Sequence, residues 1–111
     1  MIEQIVIDYL EGVLDVPVYG MRPNDPPTEY LVVEKTSGGE TNHVCNATIA
    51  IQSYSDSMYK AGMLNERVKE AMVGILERGS IGRMHLENDY SFTDLVRNQP
   101  RYQAVYDVRF Y

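Results

Sequence analysis

Residues 44–54 read VCNATIAIQSY, and Ser55, Asp56 and Ser57 then lead into an apolar stripe of Ala61, Leu64, Val68, Ala71, Met72, Ile75 and Leu76. In the first stretch Cys45, Ala47, Ile49 and Ile51 fall on one side and Asn46, Thr48 and Gln52 on the other, the period-two alternation of a strand with one buried face. In the second, the apolar positions recur at helical spacing opposite Lys60, Glu66, Lys69 and Glu70, behind three residues competent as N-caps. A strand therefore runs directly into a long amphipathic helix. Gly62 and Gly74 each cost that helix about 1 kcal/mol relative to alanine, so they mark either a close approach to the sheet or tolerance. Arg78 suits its last turn and Gly79 its C-terminal cap.

Toward the N-terminus, Ile2, Ile5, Val6, Tyr9, Leu10 and Val13 recur at helical spacing, describing a shorter amphipathic helix that ends between Gly12 and Asp15. Val16 to Tyr19 reads as a short strand, and Gly20 to Thr28, interrupted by Pro23, Pro26 and Pro27, as a loop without ladder hydrogen bonds. Tyr30 to Lys35 reads as a strand, and Thr36, Ser37, Gly38, Gly39 and Glu40 as the reversal that follows it.

Toward the C-terminus, Met84, Leu86, Tyr90 and Phe92 alternate with His85, Glu87, Asp89 and Ser91, with Asn88 as the one polar residue on the apolar face. A loop spans Asp94 to Pro100. Tyr102, Ala104, Tyr106, Val108 and Phe110 then alternate with polar residues in a strand running to Tyr111. The order is α-β-β-β-α-β-β, which predicts an α+β fold: a largely antiparallel β-sheet covered on one face by two α-helices. Residues 1–111 are expected to form a single domain around one core.

Composition narrows the function classes. Apolar residues make up 44% and charged residues 23%, the balance of a folded chain. The formal charge is 10 − 16 = −6. The basic residues are scattered, with Glu87, Asp89, Asp94 and Asp107 interleaved among the C-terminal arginines, which argues against nucleic-acid binding through phosphate neutralisation. One cysteine precludes an internal disulfide and suits a reducing compartment. The first fourteen residues carry Glu3, Asp8 and Glu11 and lack a signal-peptide pattern, and no apolar run approaches the ~18 residues of a membrane span.

The chemistry-bearing residues are sparse. His43 and His85 have none of the short-range partners a metal site uses. Cys45 lies on the apolar face of its strand, where a thiol is a small hydrophobe. Ser37-Gly38-Gly39 lacks the Lys-Ser/Thr ending of a phosphate loop and is flanked by strands. Glu87, Asp89, Asp94 and Asp107 alternate onto a solvated face, unsuited to acid–base work. No catalytic residue, cofactor or metal is expected. The nine tyrosines, with no tryptophan and two phenylalanines, suit either interfaces or cross-strand pairing by Tyr90, Tyr102 and Tyr106.

The element order, and above all the passage from Ala47 to Tyr54 through Ser55-Asp56-Ser57 into the helix from Ala61 to Leu76, resembles the phage tail-terminator or tail-completion proteins, also called minor tail or neck components. The family pattern is a short N-terminal helix, a proline-containing loop, a hairpin, a strand ending in an aromatic residue, a long helix and a final strand pair. The segments Met21 to Pro27 and Asp94 to Pro100 carry no feature that matches it.

The resemblance implies a structural virion protein, assembled in the host cytoplasm, that caps the tail tube as a ring and joins the tail to the head-side connector. Its partners would be itself, as a ring of six copies, the tail-tube protein and the head-tail connector protein. DNA would pass through the lumen without being bound, in keeping with an acidic chain. The expected contacts are Thr36, Ser37, Gly38, Gly39, Glu40, Thr41, Asn42 and His43 in one connection and Asp94, Arg97, Asn98, Gln99 and Arg101 around the other, because connections between rigid strands commonly carry binding. Tyr111 joins them as the end of an edge strand. The alternatives are a small ferredoxin-like ligand-binding or protein-interaction module without catalysis, recognisable by an apolar pocket between helix and sheet, and a small enzyme, which would need Cys45 and His43 adjacent and exposed.

Overall fold

The computed structural model describes residues 1–41, 44–78 and 81–110. In chain order the elements are α1 (Ile2–Val13), β1 (Val18–Tyr19), β2 (Tyr30–Thr41), β3 (Val44–Tyr54), α2 (Met58–Met72), a 3-10 segment (Val73–Arg78), β4 (Ile81–Ser91) and β5 (Arg101–Phe110). The strands form one five-stranded sheet in the order β1-β2-β3-β5-β4. All pairs are antiparallel except β1 with β2.

The α+β layering follows from the burial pattern. Ala47, Ile49 and Ile51 of β3 stand beside Val33 of β2 and Ala104, Tyr106 and Val108 of β5, and these meet Ile2, Val6 and Leu10 of α1 and Leu64, Val68 and Met72 of α2 in one core. Burying each large aliphatic side chain contributes roughly 1.5–3 kcal/mol, which is why the helices settle on this face. Ser57 caps α2, its hydroxyl accepting from the Lys60 amide at 3.1 Å. The glycines of the helical stretch are close approaches: a Cβ on Gly62 would stand 3.3 Å from the Tyr102 ring, and one on Gly74 2.7 Å from the Tyr9 hydroxyl.

Several expectations need correction. The reversal assigned to Thr36, Ser37, Gly38, Gly39 and Glu40 is strand: β2 runs on to Thr41, with Ser37 opposite Thr48, Gly38 opposite Ala47 and Glu40 opposite Cys45. Glycine tolerates extended backbone as well as turns, and Gly38 is needed for closeness, since a Cβ there would lie 3.1 Å from the Asn46 carbonyl oxygen and 2.6 Å from the Lys35 side chain. Asn42, His43, Gly79 and Tyr111 lie outside the described residues.

The final strand is no edge strand. β5 lies between β3 and β4, because the β4–β5 hairpin docks its second strand against β3. The helical stripe also ends early: α-helical geometry stops at Met72, Leu76 is exposed, and the buried polar Asn65 takes a place on the inner face.

In β4, a bulge between Leu86 and Asn88 inserts one extra residue and reverses which side chains face the helices. Before it, Met84 and Leu86 pack against the core. After it, Asp89 faces α2, accepting from Asn65 Nδ2 and Lys69 Nζ, both at 3.3 Å. Asp89 and Asp94 therefore do not share a solvated face with Glu87 and Asp107. Tyr90 turns to the side away from the helices, where its hydroxyl accepts from Gln103 Nε2 at 2.6 Å.

Candidate interaction surfaces

The sheet face opposite the helices has a closed end and an open remainder. At the closed end Tyr30 and Tyr54 stack with centroids 4.5 Å apart and planes 6° from parallel, and Tyr19 meets Tyr30 edge-on at 6.0 Å. Tyr30, Tyr54 and Val32 are buried although no helix covers them. Burial pushes the Tyr30 hydroxyl above its ordinary range, against the opposing charge of Arg22. Beside them runs a polar row across the strands: Tyr54 Oη donates to Gln52 Oε1 at 3.2 Å, Gln52 Nε2 donates to Gln103 Oε1 at 2.9 Å, and Gln103 continues the row to Tyr90. The row uses the polar groups of these buried glutamines, so this stretch is fixed structure. On the helix side, burial and the Asp89 charge push the Tyr106 hydroxyl up to about 12.

The loop after β4 is held rigidly from within. Asp94, only 6% exposed, accepts from the Val96 amide at 3.1 Å, the Arg97 amide at 3.2 Å and the Arg97 guanidinium at 3.1 Å. Asp94 and Gln99 close the loop through a pair of backbone hydrogen bonds, and Asn98 takes a left-handed φ of 51°. Gln99 Oε1 accepts from the Tyr30 hydroxyl at 3.2 Å. Burial alone would raise the Asp94 carboxyl, but the Arg97 amide and guanidinium, with the charges of Arg101 and Arg97, outweigh it and hold the group below the ordinary carboxylate range.

Arg101 is likewise used internally. It donates to the Tyr54 hydroxyl at 2.7 Å and lies 4.1 Å above the Phe92 ring, an attraction between cation and π-cloud. Of the residues expected to make contacts here, Asp94, Gln99 and Arg101 hold the loop in shape, and the Arg97 side chain is half exposed. The side chains this framework presents are ones the sequence reading passed over: Leu95 and Val96, 87% and 91% exposed. Two adjacent aliphatic residues inside an otherwise polar connection were the available signal.

The first connection lies differently. Thr36 through Thr41 belong to the outer half of β2, beyond the reach of β1, which pairs only with Leu31 and Val32. A bulge between Lys35 and Ser37 interrupts this half, and Ser37 Oγ donates to Thr48 Oγ1 at 3.0 Å. The Cys45 thiol is half-buried 3.8 Å from a Glu40 carboxylate oxygen, so it is less enclosed than a core residue. It borders an open hollow of about 470 Å³ with Met1, Lys35, Gly39 and Phe110.

On the helix side, α2 carries a second apolar patch. Met58, Tyr59, Gly62, Met63, Glu66 and Tyr102 line an open groove of about 350 Å³, in which Tyr59 and Met63 are largely exposed. The groove exists because Gly62 has no side chain over the Tyr102 ring. Asp15, held below the ordinary carboxylate range by its hydrogen bond from Arg67, forms an exposed ion pair that ties the segment after α1 to α2.

Among the described residues no group of three or more His, Cys, Asp or Glu side chains is placed to hold a metal ion, and no helix is long and apolar enough to cross a membrane. No known family model matches the chain, and no curated protein matches it.

Proposed function

We propose that this chain is a non-catalytic structural subunit whose copies join head to tail into a ring, capping a phage tail tube and linking it to the head-side connector. One observation carries the reading. Among the described residues the sheet has two unlike free margins: β4, paired only on its β5 side, and the part of β2 beyond Val32, paired only on its β3 side. Strands with one unpaired side are natural docking points for another chain. Because the two margins differ, contact between them is heterologous, the arrangement that forms a ring where the rotation between copies closes.

Bulges interrupt both margins, at Lys35/Ser37 in β2 and at Ile81/Arg83 and Leu86/Asn88 in β4. They restrict which strand can pair there, so that a partner must match the interrupted edge. The element order, which resembles the tail terminators, and the charge of −6, which suits a lumen that lets DNA pass without adhering, support the same reading. The test is the mass of the protein in solution, alone and mixed with the tail-tube protein. A species of several copies in either setting is expected. A monomer in both overturns the reading.

A further inference from the structure

The register of the sheet can be followed strand by strand from one free margin to the other. Ser37 lies opposite Thr48, Thr48 opposite Asp107 and Asp107 opposite His85, and two residues along the same face Gly39, Asn46, Arg109 and Arg83 form the next row. Ser37 to Gly39 on one side of the sheet are thus level with Arg83 to His85 on the other. Both stretches are unbroken: the β2 bulge ends at Ser37, and this part of β4 lies between its two bulges. β1 covers only Leu31 and Val32, which are level with Ser91 and Tyr90 at the far end of β4.

Direction agrees as well. β2 is antiparallel to β3, β3 to β5 and β5 to β4, so β4 runs opposite to β2. Rotation about a ring axis leaves the direction of a strand along that axis unchanged, and a closed ring has no rise from copy to copy. β4 of one copy therefore meets β2 of the next at its own level and running the other way, the antiparallel ladder that the rest of this sheet uses. Gly39 is the residue that its own chain does not account for. A Cβ there would meet no other part of the chain within 4 Å, and Gly39 pairs with Asn46 in step with its neighbours on both sides. Glycine inside a strand weakens it, and its usual occasions are a bulge, a bend or the close approach of another backbone. Among the described residues Arg83, level with it on the other margin, forms no ion pair.

We infer that Arg83 to His85 of one copy pair antiparallel with Ser37 to Gly39 of the next, His85 opposite Ser37 and Arg83 opposite Gly39, so that the sheets of neighbouring copies join into one. This rests on the reading that copies meet head to tail, and adds the direction of the contact and the residues that make it. The occupant of each margin is a copy of this chain because the two free stretches stand on opposite sides of one sheet, level with each other, opposite in direction and matched in length. A margin that met itself would give a closed dimer, whereas two different margins propagate from copy to copy.

Within one chain Gly39 and Arg83 are separated by the spacings β2 to β3, β3 to β5 and β5 to β4, about 14 Å in all, too far for direct coupling. An interaction between them therefore reports a contact between copies. Assembly of the full chain, alone and with the tail-tube protein, is followed by mass. Gly39→Lys sets a like charge opposite the neighbour's Arg83 and should raise the concentration needed for assembly about three-fold or more, with the thermal midpoint no lower. Adding Arg83→Glu should return that concentration to the parent value or below it. The full chain carrying Cys45→Ser, Ser37→Cys and His85→Cys, whose two new thiols are equally far apart within one copy, should give a ladder of disulfide-linked copies on mild oxidation. Each single-cysteine variant should give about ten-fold less linked product, because like residues do not meet in a heterologous contact.

If the parent assembles but the substitutions at Gly39 and Arg83 act additively, or if single-cysteine variants link as readily as the chain with both, this pairing is wrong while the ring reading stands. If the parent stays monomeric with and without tube protein and no ladder forms, both fall.

Discussion

Gly74 stands where a side chain would strike the Tyr9 hydroxyl, which donates to the Ala71 carbonyl at the end of α2. Alanine would improve backbone propensity, by about 1 kcal/mol at most. It would also displace a rigid ring from a filled site and break its hydrogen bond, and overpacking of this kind typically costs about 1–3 kcal/mol. Gly74→Ala is therefore expected to lower stability by about 1 kcal/mol, measured by urea unfolding. Asp94 makes a prediction in pH. Its folded carboxyl titrates below that of the unfolded chain, so its contribution is fully present above about pH 4, the ordinary aspartate value, and is lost as the pH falls through the lower folded value. The protection of the Val96 and Arg97 amides, taken relative to the intrinsic exchange rate at each pH, should fall on acidification below that point in the parent chain, and be low at every pH in Asp94→Ala. Unchanged protection in Asp94→Ala would show that the loop does not depend on this carboxylate.

The elements were unequally legible. β3, β5 and α1 carry uninterrupted periodicity, and their expected bounds agree closely with the observed ones, whereas α2 stops at Met72, short of the expected Leu76. β2 was read as half its length because a Ser-Gly-Gly tract is compatible with a turn and with an extended edge, and only the cross-strand partners at Cys45 to Thr48 decide between them. β4 was recognised as a strand but its second half was assigned to the wrong face, since one inserted residue reverses the parity of everything after it. Glu87 is that residue. Deleting it should leave Asn88 opposite Val105 and Asp89 opposite Ala104, so that Asp89 keeps Asn65 and Lys69 and the strand loses only its bulge, at a cost within about 1 kcal/mol. Glu87→Ala, which keeps the bulge, should stay within about 0.5 kcal/mol of the parent. A loss of more than about 2 kcal/mol on deletion, read from denaturation midpoints, would mean that the bulge itself, and not only the residue count, holds the second half of β4 in place. The candidate surface was the least legible: the loop bounds were recognised, but Leu95 and Val96 become distinctive only once the buried Asp94 shows that the loop is rigid.

At the scale of the whole molecule, β5 occupies the middle of the sheet although it follows every other described element in the chain. During translation β1, β2 and β3 can assemble with α1 and α2, but β4 has no neighbour in that half to pair with. It must wait for Arg101 to Phe110, which zip onto β3 and β4 together. A polypeptide stopped after Pro100 should therefore melt without a cooperative transition in a thermal scan, and a sharp transition there would contradict this order of events. Until those ten residues arrive, the growing chain displays two unmatched margins that fit the same missing strand, so this protein passes through its most adhesive moment just before its sheet closes.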